Sequence, residues 1–93
     1  MPRDRDMRFT IEQRLLTDSA GKPVPDARSA AAFHVVDADS AEDAVRLLIK
    51  LDSAELVGDI MKFPGFHAMA TIRTIRGVFT LQVAPASQSR VPV

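Results

Sequence analysis

The chain has 93 residues, 12 basic and 12 acidic side chains, and no cysteine. That length allows one domain, the zero net charge excludes overall steering toward nucleic acid or an anionic membrane, and the lack of thiols excludes disulfides and thiolate-held zinc. No apolar run approaches the roughly 20 residues that span a bilayer and the start, Met-Pro-Arg-Asp-Arg-Asp, has no signal-peptide core, so a cytoplasmic protein with no nucleic-acid or membrane partner is expected.

The part that can order is small. Residues 1–6 alternate Arg and Asp, and 85–93 hold Pro85, Pro92 and small polar residues. Both are expected to be flexible tails flanking a single α+β domain over 7–84. A chain of this length removes only about 60–65% of its unfolded surface on folding, and a core from roughly 75–80 residues is slight. Self-association is the common remedy where disulfides are absent, so a homodimer with two-fold symmetry is expected.

Met7 to Leu16 alternates. Phe9, Ile11 and Leu15 fall on one side with Gln13 interrupting, and Arg8, Thr10, Glu12 and Arg14 fall on the other, the pattern of a half-buried strand. Thr17 to Ser29 is a long loop whose Gly21, Pro23 and Pro25 supply turns and cannot continue a ladder. A second strand spans Ala30–Val36, most strand-like at Phe33-His34-Val35-Val36. Ser40 is placed to cap a helix over Ala41–Leu51, with Glu42 and Asp43 at the positive end of its dipole and Val45, Leu48 and Ile49 on its apolar side. Leu47 and Leu51 widen that side beyond one core face and are candidates for a subunit contact. The spacing of Leu56, Val57, Ile60 and Met61 predicts a further helical segment over Ser53–Lys62, either a second short helix or the far limb of one kinked helix, weakened by Gly58. Phe63-Pro64-Gly65 ends it.

Phe66–Arg76 and Val78–Ala84 read as a β-hairpin. With Arg76-Gly77 at the turn, Thr74 faces Phe79, Ile72 faces Leu81 and Ala70 faces Val83, leaving Arg73 with Thr80 and Thr71 with Gln82 on a polar face. The fold class is therefore α+β, in the order ββα(α)ββ: a four-stranded, mostly antiparallel sheet with a helical layer on one face. The other face carries Arg8, Thr10, Glu12, Arg14, Arg73, Thr80 and Gln82, to be covered by water or by a second subunit. Seven acids between Asp37 and Asp59 and none after it place an acidic helix beside a basic hairpin, which suggests internal or intersubunit charge pairing. The element order, with the strand–cap–helix string Phe33 to Leu48, resembles that of small ferredoxin-like and dimeric α+β barrel domains. One helix of the βαββαβ pattern is replaced by the Thr17–Ser29 loop, and no family motif transfers.

Candidate chemistry is sparse. His34 alternates with Phe33 and Val35 and is expected on the polar face with Glu12, Arg14 and Arg73. A catalytic set of His34, Glu12 and Arg73 could do acid–base work on an anionic substrate; an ordinary hydrogen-bonded histidine explains the same residue. Arg14, His67 and Phe66 are candidate binding residues, with His67 at a pocket rim and Phe63 and Phe66 around the Pro-Gly turn as its lip, although a turn-capping histidine and a helix-end staple are the more ordinary explanations. His34, Asp37 and Asp39 form an apparent metal cluster, but Asp37–Ser40 is already explained as a strand exit and helix cap. No glycine-rich phosphate loop or Gly-x-Ser-x-Gly elbow occurs, and neither metal nor cofactor is expected.

Three functions remain. The first is a non-catalytic, self-associating domain with a small-molecule ligand, which calls for an enclosed apolar pocket. The second is a small cofactor-independent enzyme in an intersubunit cavity, which calls for His34 in a concave site beside a carboxylate. The third is a protein-interaction module with an unpaired strand edge.

Overall fold

The computed structural model describes residues 7–25 and 31–86. Six elements follow one another: strands β1 (Met7–Asp18) and β2 (Ala32–Ala38), helix α1 (Ala41–Asp52), and strands β3 (Glu55–Phe63), β4 (His67–Thr74) and β5 (Gly77–Pro85). The strands form one antiparallel sheet in the order β2-β1-β5-β4-β3. Of the expected tails at 1–6 and 85–93, residues 1–6 and 87–93 lie outside the described residues, as do loop residues 26–30. At the other boundary β5 continues through Pro85, and the Ala86 N–H donates to the Arg8 carbonyl at 2.8 Å.

The period-two pattern of β1 sets the two faces of the sheet. Phe9, Ile11 and Gln13 are buried on one of them, where they meet Leu81 and Val83 of β5 and Ala70 and Ile72 of β4. Helix α1 closes this face with Ala41, Ala44, Val45 and Leu48, the i, i+3, i+4, i+7 stripe that helix geometry requires. Both ends of α1 are satisfied locally. The Asp43 N–H donates to Ser40 Oγ at 3.1 Å, and Glu42 and Asp43 occupy the first turn. At the other end Ser53 adopts φ 53°, ψ 44°; its N–H reaches the Lys50 carbonyl and that of Ala54 the Ile49 carbonyl, which is a Schellman arrangement.

Three expectations are corrected. The segment Ser53–Lys62 is not helical: it holds β3, an edge strand, so the sheet has five strands and one helix rather than four strands and two helical segments. A separation of four residues satisfies both a helical repeat and two strand repeats, so the Leu56/Ile60 and Val57/Met61 pairs fit either. The left-handed Ser53 ends α1, and Gly58 (φ 77°) sits within a register shift between Val57 and Met61. The second correction is the β4–β5 register. Thr74 faces Gly77, Ile72 faces Phe79, Ala70 faces Leu81 and Thr71 faces Thr80, a step of two from the expected pairing that leaves every side chain on its expected face. The turn is Ile75-Arg76 because Gly77 (φ 136°) must abut β1, where an added Cβ would lie 2.1 Å from the Thr17 carbonyl oxygen. The Arg76 guanidinium folds back over the Phe79 ring at 5.4 Å. The third correction concerns His34. It is opposite Ile11 on the helix side, and Phe33 and Val35 face away from α1 at 65% and 60% exposure.

Candidate functional site

The face of the sheet that α1 leaves open is a grid whose rows run across the strands. Phe33, Glu12, Gln82, Met69 and Met61 form one row spanning all five strands. Beside it lie Val35, Thr10 and Ala84, with His67 and Phe63 paired on the far strands. On its other side lie Arg14, Thr80, Thr71 and Val57. Strand pairing thus dictates the composition of this surface: aromatic and aliphatic side chains at the two margins, hydroxyls, an amide and a carboxylate along the middle.

Parts of the first two rows line a trough of about 430 Å³. Phe33 from edge strand β2 and Phe63 from edge strand β3 both line it, together with Met69, Ala84, Thr10, Glu12, Gln82 and His67. Its size falls within the range of small-ligand sites, but it opens to solvent along the side away from the sheet, so one chain does not supply the enclosed pocket that the ligand-binding reading calls for.

Polar groups around the trough are held by neighbours on the same face. Glu12 accepts from Arg14 Nε at 2.8 Å. His67 Nδ1 lies 3.2 Å from the Pro64 carbonyl oxygen. A carbonyl only accepts, so Nδ1 carries the proton and Nε2 is the acceptor in the neutral ring. The ring therefore caps the 64–66 turn and lines the trough at once. Phe66 in that turn has φ 64°, which is costly for an aromatic residue, and stands 54% exposed outside the trough lining.

The residues proposed for acid–base chemistry are not brought together. His34 Nε2 donates to Gln13 Oε1 at 2.6 Å on the helix side. Glu12 and Arg14 are on the opposite face, and Arg73 is further along that face in an ion pair with Glu55 at 2.8 Å. The apparent His34–Asp37–Asp39 cluster is also split, since Asp37 is on the open face accepting from Arg8 Nε at 3.2 Å. Among the described residues no group of three potential metal-ligating side chains converges, and no helix is long and apolar enough to cross a membrane. Acids and bases of the two segments do pair, but not as helix to hairpin: Glu55 of β3 meets Arg73 of β4, and Glu42 at the start of α1 meets Lys62 of β3 at 3.3 Å. Glu42 also accepts from Arg46 at 2.7 Å. These bonds, that from Arg46 foremost, hold its carboxyl below its ordinary pKa.

Of the sequence-based candidates, Glu12 and His67 line the trough and Arg14 braces Glu12. The alternation of β1 and β5 already set Thr10 and Gln82 on this face. Phe63 belongs to the Phe63–His67 string, whose two phenylalanines around a Pro-Gly turn already offered a pocket lip beside the commoner helix-end staple, whereas Phe33 and Met69 had no such signal, because an apolar side chain in a strand is ordinarily read as core. Compared with protein-family models, with curated proteins and with solved structures, the chain matches none.

Proposed function

We propose that the protein is a non-catalytic binding domain that holds a small, largely apolar ligand in the trough on the open sheet face and works as an assembly of identical copies. The observation that supports this reading is the convergence of Phe33 and Phe63, from strands at opposite edges of the sheet, on one cavity. Their rings offer apolar walls, Met69 an adaptable floor, and Thr10, Gln82 and His67 Nε2 a few directional polar groups, the combination that orients a small molecule. The trough is open on its outer side, so one copy encloses a ligand only in part. The enzyme reading loses its basis in the separation of His34 from Glu12 and Arg73.

Titration with the neutral fluorophore N-phenyl-1-naphthylamine tests the proposal. Saturable binding of one probe per chain is expected, lost in Met69→Asp and retained in Leu51→Ser, which alters the exposed far side of α1. Linear, unsaturable fluorescence, or equal loss in both variants, would end the ligand-binding reading.

A further inference from the structure

We propose that the outer edge of β2 pairs antiparallel with the same edge of a second copy, joining two five-stranded sheets into one of ten strands. The proposal rests on the reading of the protein as self-associating and gives that association a surface.

Both sheet margins, β2 and β3, have an unpaired side among the described residues, but they differ in kind. β3 carries the features that blunt an edge: the register shift around Gly58, the charges of Glu55, Asp59 and Lys62, and the link from Lys62 back to Glu42 on α1. β2 has a single charge, Asp37 near its end, and that is paired with Arg8 of β1. From Ala32 to Val36 it has no charged carboxylate, lysine, proline or glycine, its pairing with β1 is regular over seven positions, and Phe33 and Val35 are the two most exposed large apolar side chains of the sheet strands. Among the described residues this edge keeps a row of unpaired backbone donors and acceptors, the kind of edge that pairs with another strand.

The second copy is the occupant that fits. Two identical antiparallel strands meet about a two-fold axis, and keeping each side chain on its own face requires a residue, not a gap between residues, at that axis. With the axis at His34 or Val35, Phe33 and Val35 of each copy stand opposite or diagonal to those of the other on the open face, as aromatic and β-branched cross-strand partners. No charge is placed opposite a like charge, since Asp37 is the nearest acid and is already paired with Arg8. A face-to-face packing of the two open sheet faces is disfavoured, because it would bury the Glu12–Arg14 pair. Edge pairing also extends the trough: Phe33, its wall at the β2 margin, gains apolar neighbours from the second copy along the side where one chain ends.

The chain lacks cysteine, so single introduced thiols report cleanly. Light scattering on the full chain at tens of micromolar is expected to give twice the chain mass, with Val35→Lys at once the chain mass and Leu51→Glu unchanged. Val35 is exposed and outside the trough lining, and an unaltered circular-dichroism spectrum and melting curve check that Val35→Lys still folds. Val35→Cys treated with a short bis-maleimide is expected to run as a cross-linked pair under denaturing conditions, since the two side chains lie opposite or about 7–8 Å apart on the diagonal. A monomeric wild-type chain would leave the edge to a different partner and overturn the proposal. So would a Val35→Lys dimer, an uncrosslinked Val35→Cys, or dissociation by Leu51→Glu alone, which would move the contact to α1. The ligand-binding reading fails separately: a dimer that binds no fluorophore sinks that reading and leaves this one, and a monomer that binds it does the reverse.

Discussion

Gln13 Oε1 accepts a 2.6 Å hydrogen bond from His34 Nε2 diagonally across the β1–β2 ladder. Gln13 is 3% exposed, the one buried polar side chain among the described residues. A buried amide without a partner costs roughly 1–3 kcal/mol, whereas replacing both partners by apolar groups is close to neutral. His34→Leu is therefore expected to lower stability by about 1–3 kcal/mol, and Gln13→Leu added to it to recover most of the loss. Urea melts of the two single variants and the double one, at one protein concentration, measure the coupling.

The core is expected to respond by position on α1. Leu48 is buried against the sheet and Leu51 is 67% exposed. Leu48→Ala should cost about 2–5 kcal/mol by loss of buried surface and creation of a cavity, and Leu51→Ala within about 0.5 kcal/mol. Equal effects in denaturant melts would mean that α1 does not present this face to the sheet.

Backbone conformation gives a third set of outcomes. Ser53 and Phe66 hold positive φ without being glycine, at about 1–2 kcal/mol each for an L-residue. Ser53→Gly is expected to raise stability by about 0.5–1 kcal/mol, the relief of strain less the added freedom of the unfolded chain. Gly77→Ala is expected to act in the opposite sense and more strongly, because its new methyl group would lie against the Thr17 carbonyl. Thermal melts separate the two directions.

Acid should act through Glu42, whose carboxyl is held below its ordinary value by the hydrogen bond from Arg46 and then by Lys62. A group with a depressed folded-state pKa contributes stability above its unfolded value and loses it as pH falls through the folded one. Glu42→Gln should therefore be less stable than the parent at neutral pH, with the difference closing below about pH 4.5. Paired melts between pH 7 and pH 3 check the sign; a gap that widens in acid would contradict it.

Much of the fold was legible in the residues. The alternation of β1, the Ser40 cap and the Val45–Leu48 stripe are local patterns with one reading each, and the structure keeps them. The β4–β5 hairpin kept its faces although its pairing moved, since a step of two preserves side-chain direction. β3 was hidden because four-residue spacing belongs to both periods. The face of His34 was hidden for a different reason. β2 has apolar residues at both parities, Phe33 and Val35 on one and Val36 on the other, and only its pairing with β1 decides which turns inward. That one ambiguity took His34 away from Glu12 and put Phe33 in the trough, so the site depended on a facing that the sequence of β2 leaves open.

Ligand binding on the open sheet face is best examined by an amide-shift titration of the labelled chain with N-phenyl-1-naphthylamine. Saturable shifts concentrated at Thr10, Phe33, Met69, Gln82 and Ala84 are expected, with the amides of Val45 and Leu48 on α1 little changed. Shifts centred on α1, or none that saturate, would contradict binding at the open face.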